Sequence, residues 1–229
     1  MNQPTALPAT DKRARTRDQL LVAAQQLLAE QSAGALGIRQ IAVKAGLVHG
    51  SFYNYYPDVP ALIEDLSALL FASHAALVAG LRSGGDDLAA TFARVTRQTL
   101  RLIPEGDGYG RLLFDAGLPV DRFVSGLRGA MGADIATGVQ RGIFTVGNLD
   151  VAISLVAGGI LGVAVDLHRG ALPASAIEPV TARLLETLGL PAAEARRLAF
   201  ADITFIAPSP LPLRWQDVPA PFREALRAA

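Results

Sequence analysis

The chain has 229 residues, 51% of them hydrophobic and 18% charged, with no net charge and no cysteine. That composition excludes a disordered chain, a disulfide-stapled domain and any thiolate site, and it suits one large domain or a small one joined to a medium one. With no cysteine and no apolar leader behind Met1, a reducing cytoplasm is the expected setting. Charge is unevenly spread: residues 1–50 hold six Lys/Arg and three Asp/Glu, the remainder fifteen and eighteen. A mildly basic head on a mildly acidic body suits a small nucleic-acid contact zone.

Residues 1–13, with two prolines and no apolar period, read as a disordered arm. Thr16 and Gln19 have the spacing of a capping box, and Leu20, Leu21, Ala24, Leu27 and Leu28 then follow a helical stripe to about Gln31. A short helix is expected over Ile38–Ala45, a turn at Gly46, and a third helix over His49–Tyr56 that Pro57 ends. Asp58 is placed to cap a fourth helix running to about Leu81, with Pro60 tolerated in its first turn. Further helices are expected over 87–103, 119–142, 151–168, 175–188 and 192–203, with a short element near 109–116. No stretch alternates with period two, so the predicted class is all-α. The Pro-rich end from Ala207 reads as an ordered or loose tail.

The run KAGLVHGSFYNYYPD at 44–58 concentrates three of the four tyrosines beside a histidine, a serine and an asparagine. Helix, glycine turn and short helix is the layout of a helix-turn-helix, whose second helix enters the DNA major groove. Hydroxyls, an imidazole and an amide suit phosphates and base edges, Gly50 permits close backbone approach, and Phe52 falls on the inward face.

Residues Arg15–Leu70 resemble the DNA-binding domain of TetR-type transcriptional regulators. The resemblance rests on Ile41-Ala42 in the second helix, Ala45-Gly46-Leu47 before the third, Gly50-Ser51-Phe52-Tyr53 within it, and the stretch from Pro57 to Leu62. It implies an N-terminal three-helix DNA-binding domain (14–58), a larger helical ligand-binding and dimerisation domain (59–206) and a tail (207–229). It also implies that Arg39, His49, Gly50, Ser51 and Asn54 approach bases or phosphates and that Tyr53 and Tyr55 hydrogen-bond phosphates. Three positions depart from the family pattern: Val48 for a capping Ser or Thr, Leu36-Gly37 for Thr-Ser, and Val59 for a lysine. Binding is then expected to lean on Lys44 and on Lys12, Arg13, Arg15 and Arg17.

In the body, residues 151–165 form an uncharged run that falls short of the roughly 20 residues needed to cross a bilayer. Ser154, Gly158 and Gly162 make a small-residue stripe within it, expected at a two-fold interface with the 175–188 helix or in packing within one chain. The resemblance implies a homodimeric four-helix bundle there, and a cavity whose candidate lining is Phe71, His74, Phe92, Tyr109, Phe114 and Phe123. Arg94, Arg97 and Arg101 share a helix face, read as solvated or as an anion site. The three histidines lack metal-ligand spacing, and no nucleophile elbow, phosphate loop or dinucleotide fingerprint occurs, so neither an enzyme nor a cofactor is expected. Residues 84–87, Gly-Gly-Asp-Asp, read as a loop and helix cap.

The expected function is that of a dimeric regulator, a repressor by preference, that binds a pseudopalindromic operator and is released by a small, mostly apolar effector, with no membrane partner. Two alternatives stand beside it: a helical small-molecule-binding protein with a weakened head, and a ligand-free dimeric DNA-binding protein.

Overall fold

Leu20, Leu21, Ala24 and Leu28 fall on one side of a helix and are buried there, which fixes the orientation of α1 (Ala9–Leu28). The computed structural model describes residues 9–82 and 87–225, without the side chains of 9–11, 120–124 and 225. Of the expected disordered arm, residues 1–8 lie outside this range, and residues 9–13 are helical. The capping box expected at Thr16 is not formed. Thr16 sits inside α1 and its hydroxyl donates to the Lys12 carbonyl at 3.1 Å, a back-bond open to a helical threonine.

Helix α2 (Ile38–Lys44) buries Ile41 and Ala42 and ends at Gly46, whose φ of +72° needs a residue without Cβ. There Leu47 N–H donates to Ala42 O and Gly46 N–H to Val43 O, the paired bonds of a Schellman stop. The third element is tighter and shorter than expected: a 3₁₀ helix over His49–Asn54, with Phe52 its one fully buried side chain. Asp58 caps α3 (Val59–Arg82) through Ala61 N–H at 2.8 Å. Then come α4 (Leu88–Glu105), capped by Asp87, a π-turn (Arg111–Asp115), α5 (Val120–Gln140), α6 (Leu149–His168), α7 (Ile177–Thr187), α8 (Ala192–Ala199) and a short α9 (Ala220–Ala225). Of residues 84–87, only Asp87 lies in the described range, and it is the cap. Among the described residues there is no strand.

Two apolar cores result. One joins α1, α2, Phe52, Tyr56 and the first half of α3 to Leu112, Leu113, Leu213, Trp215 and Val218. The other is built by α4 to α8 around Ile135, Val156, Ile177 and Leu185. Ile103 and Phe114 pack against both. The apolar run at 151–165 sits in a helix of 20 residues. Thus α6, like the 24-residue α3, is long and apolar enough on length and composition alone to cross a membrane. The inward faces of both are taken up by the protein's own cores.

Arg94, Arg97 and Arg101 are not a solvated face. Arg97 is buried, pairs with Glu178 at 3.1 Å and donates to Ala201 O at 2.6 Å. Arg101 reaches Glu105 and Glu178 and covers the Phe205 ring, and Arg94 donates to Thr91 Oγ1. Each guanidinium is spent on holding neighbouring chain.

Candidate nucleic-acid interface and ligand cavity

The outer surface of the head is built by α2 and the 3₁₀ helix. Arg39, Lys44, His49, Gly50, Tyr53 and Asn54 are exposed, while Ser51 and Tyr55 are half-buried. Phe52 points inward as an anchor, so its neighbours are held facing out. The Tyr53 ring, 53% exposed, packs edge-on against His49 and Phe52 at 5.7 and 5.9 Å between centroids, which presents its hydroxyl to solvent. Arg13 donates to the Asn54 carbonyl at 3.3 Å and borders, with Lys12 and Tyr55, a shallow hollow beside this edge.

Arg17 is committed elsewhere. Its guanidinium grips the Asp65 carboxylate with two bonds of 2.7 and 2.6 Å. The same carboxylate accepts from the Tyr56 hydroxyl and from Trp215 Nε1 at 3.0 Å. Arg17 therefore locks α1 to α3 and is not available to phosphate. Burial, reinforced by the Asp65 charge, pushes the Tyr56 phenol up from its usual value, so it stays a donor.

Where α3, α4 and α5 diverge they enclose a cavity of about 240 Å³. Its walls include Phe71, Val78, Phe92, Leu127, Met131 and Ile160, with Phe222 of α9 closing one side. Polar groups are few. His74 is buried and shares a 3.1 Å hydrogen bond with Thr99 Oγ1. Arg82 and Asp134 pair across the rim at 2.9 Å. Burial lowers the His74 pKa to about 4, helped by Arg82, so the imidazole is neutral near pH 7. Burial also raises Asp134 against the pull of Arg82. The result is an apolar chamber with a neutral imidazole–hydroxyl pair and a self-compensated ion pair.

Residues 20–66 match the family model described as bacterial regulatory proteins, tetR family, and residues 87–200 match that described as tetracyclin repressor-like, C-terminal domain. The chain belongs to the TetR family. Among solved structures, RolR in complex with resorcinol is 27% identical, covering 86% of this chain and 99% of its own, with a TM-score of 0.69. FadR from Bacillus halodurans (15% identical, 76% of this chain, 94% of its own, TM-score 0.63) shares the fold. So does NalD from Pseudomonas aeruginosa (18% identical, 77% and 98%, TM-score 0.59). No curated protein sequence matches the chain. It is a transcriptional regulator, with a TetR-type DNA-binding head and a C-terminal domain of the ligand-binding kind.

In this TetR-family chain most residues expected to meet DNA (Arg39, Lys44, His49, Gly50, Tyr53 and Asn54) are exposed on α2 and the 3₁₀ helix, while Tyr55 packs against the head core. The expected cavity set divides. Phe71, His74 and Phe92 line the chamber. Tyr109 does not: it is buried against the tail, donates to Ser209 O at 2.8 Å and has its phenol pushed up to about 12 by burial. Phe114 does not either, packing on His168 at 5.7 Å. The Phe123 side chain lies outside the described residues. Arg82, Thr99, Asp134 and Phe222 were missed, because they come from four separate elements and no spacing links them. Also missed was the apolar surface of Val43 and of Val48, the latter 76% exposed. Among the described residues no group of three or more His, Cys, Asp or Glu assembles as a metal site.

The neutral His74 sets a pH dependence. Between its ordinary 6.5 and about 4 the unfolded chain takes up a proton that the folded chain refuses. Stability contributed by His74 is therefore lost as pH falls through that window, by roughly 3 kcal/mol. Asp18 and Asp134, whose carboxyls burial raises, act in the opposite sense as pH falls. Comparing His74→Gln with the parent removes their share. Urea unfolding at pH 7 and pH 4.5 should show the parent losing more stability than the variant; parallel losses would refute a neutral His74.

Proposed function

We propose that the protein is a homodimeric, effector-released repressor whose two heads read a pseudopalindromic operator, with half-sites about 34–36 Å apart. The observation that carries this is the course of α3. It is capped at Asp58, directly after the 3₁₀ helix, and runs unbroken to His74, Val78 and Arg82 in the cavity wall. The 16 residues from Asp58 to His74 make a lever of about 24 Å. A molecule bound at one end can displace the head at the other.

On the head, Arg39, Lys44, His49, Gly50, Ser51, Tyr53, Asn54 and Tyr55 form the DNA surface in this reading, and Val48 offers a methyl-bearing patch suited to thymine. Two of the three departures from the family pattern have a structural reason: Leu36 is buried in the head core and Val59 packs against it. They exchange a phosphate contact for packing. Tyr53→Phe should weaken binding to all DNA alike, because phosphate contacts position without reading sequence. His49→Ala should instead relax preference at particular base pairs, by about 1–3 kcal/mol each. Binding-site selection from random DNA tests both the head's function and this division of labour; no enriched site with the parent protein would refute the function.

In this reading the second copy packs on the outer face of α6. Val151, Ser154, Leu155, Gly158 and Gly162 are exposed along one stripe, Leu155 by 60%. Within the chain it is Gly159 that allows α7 to approach, since a Cβ there would meet Leu184 at 3.0 Å. A Cβ at Gly158 or Gly162 meets nothing within 4 Å. Gly158→Leu should therefore leave the protomer folded and separate the dimer, since overpacking a tight contact costs about 1–3 kcal/mol. Sedimentation of an unchanged dimer would move the interface elsewhere.

The effector class follows from the chamber. A dry apolar cavity of about 150 Å³ suffices for benzene, so 240 Å³ admits a single substituted ring. His74 and Thr99 are among the few polar side chains in the wall and favour a hydroxylated ring over a plain one, and the similarity to RolR, solved with resorcinol, supports the same choice.

A further inference from the structure

Residues 201–225 lie outside both matched family regions, and they connect the cavity to the head by a path separate from α3. The segment leaves α8 along α4, where Gln98 pairs both ways with the Ile206 backbone at 2.8 and 3.0 Å. It then passes Tyr109 and reaches the head. There Gln25 receives Leu213 N–H at 2.8 Å and donates to Leu213 O at 2.9 Å. Asp18 accepts from the backbone N–H of Trp215 and Gln216 at 2.9 and 3.2 Å, and the indole donates to Asp65. Four residues beyond Trp215 the chain turns through Pro219 into α9, which packs on α3 and places Phe222, seven residues beyond Trp215, in the cavity wall.

We propose that this segment is a strap that makes Phe222 a ligand-sensing wall and transmits its displacement to the head through Trp215. The proposal rests on the effector reading above and adds a second line of coupling to it. A ligand that fills the chamber presses on three long helices, α3, α4 and α5, and on Phe222, a half-buried side chain of a six-residue helix that packs against the head core. The wall carried by the shortest helix yields first, and it leans on the head. Its movement pulls on a short connection whose far end is fixed by buried hydrogen bonds to α1 and by the indole bond to Asp65 of α3, two helices that share the head core with Phe52 of the 3₁₀ helix. Occupancy then biases the head only through the difference in strap seating between filled and empty states.

Trp215 is the chain's single tryptophan, so its fluorescence reports the seating directly. The cavity is filled without any ligand by Val95→Phe from α4 or, at the exposed mouth on α5, by Ala130→Phe. Each is made in the full-length parent and in Pro219→Gly, which keeps Phe222 but loosens the connection to Trp215. Expected is a change of about twofold or more in acrylamide quenching of Trp215 in the parent background, in the range of modest couplings, and its disappearance with Pro219→Gly. The same change in both backgrounds, or none in either, would overturn the strap. The experiment uses neither DNA nor effector, so its failure is distinct from failure of the regulator reading, which shows as ligand-insensitive DNA binding.

Discussion

Asp65→Ala is expected to destabilise the protein by about 3 kcal/mol, the low end of the cost of breaking a buried ion pair. Asp65 is 9% exposed at its side chain and collects four donated bonds, two from Arg17 and one each from Tyr56 and Trp215. Removing it strands a guanidinium, a phenol and an indole. The low end applies because Arg17 is a third exposed, so water recovers part of its solvation. Asp65→Asn, which keeps an acceptor but not the charge, should fall between. Tyr56 lies two residues beyond the 3₁₀ helix, so DNA affinity should fall in both variants even at temperatures where they remain folded. Urea unfolding of the three proteins is the measurement; a loss under about 1 kcal/mol for Asp65→Ala would mean the four donors find other partners.

Phe52→Ala should cost about 3–5 kcal/mol, the usual range for emptying a fully buried aromatic site. Phe52 is the one side chain of the 49–54 turn that is fully buried, with Tyr53 and Tyr56 ringed around it. No other side chain of the turn is buried, so the outward set of His49, Tyr53 and Asn54 loses its fixed spacing. DNA binding should therefore drop far more than with Tyr53→Phe, while the α4–α8 core, which Phe52 does not touch, keeps its packing. Hydrogen exchange resolves the two regions. Loosening confined to α1, α2 and the turn is expected, and equal loosening of α6 would contradict the separation of cores.

The head was largely legible because short-range rules govern it. Apolar spacing placed α1 and α2, Gly46 marked a stop that only a positive φ could make, and Asp58 and Pro60 marked a start. The error at Thr16 shows the limit of such rules: the spacing of a cap was present, but the helix had already begun at Ala9. Half of the expected set lines the cavity because Phe71, His74 and Phe92 lie near apolar stripes on α3 and α4. Tyr109 and Phe114 were misassigned because helical spacing does not reveal which neighbour a face meets. The Arg82–Asp134 pair joins residues 52 positions apart, and the strap is held by bonds such as Gln25 to Leu213, 188 positions apart. Proline-rich chain has no periodicity to betray contacts of that range. Arg97 and Arg101 looked solvated for the same reason, since Glu178 and Phe205 approach them only in the folded chain.

In the proposed function the cavity and the DNA surface are thermodynamically coupled. This coupling is tested most directly by titrating a single-ring phenol that binds the protein, resorcinol being the first to try, with and without saturating operator DNA from the site selection. Linkage requires operator to weaken ligand binding by the same factor by which ligand weakens operator binding, within the ordinary range of about 5–150-fold. That reciprocal loss is the expected result. Equal ligand affinities in the two titrations would contradict it.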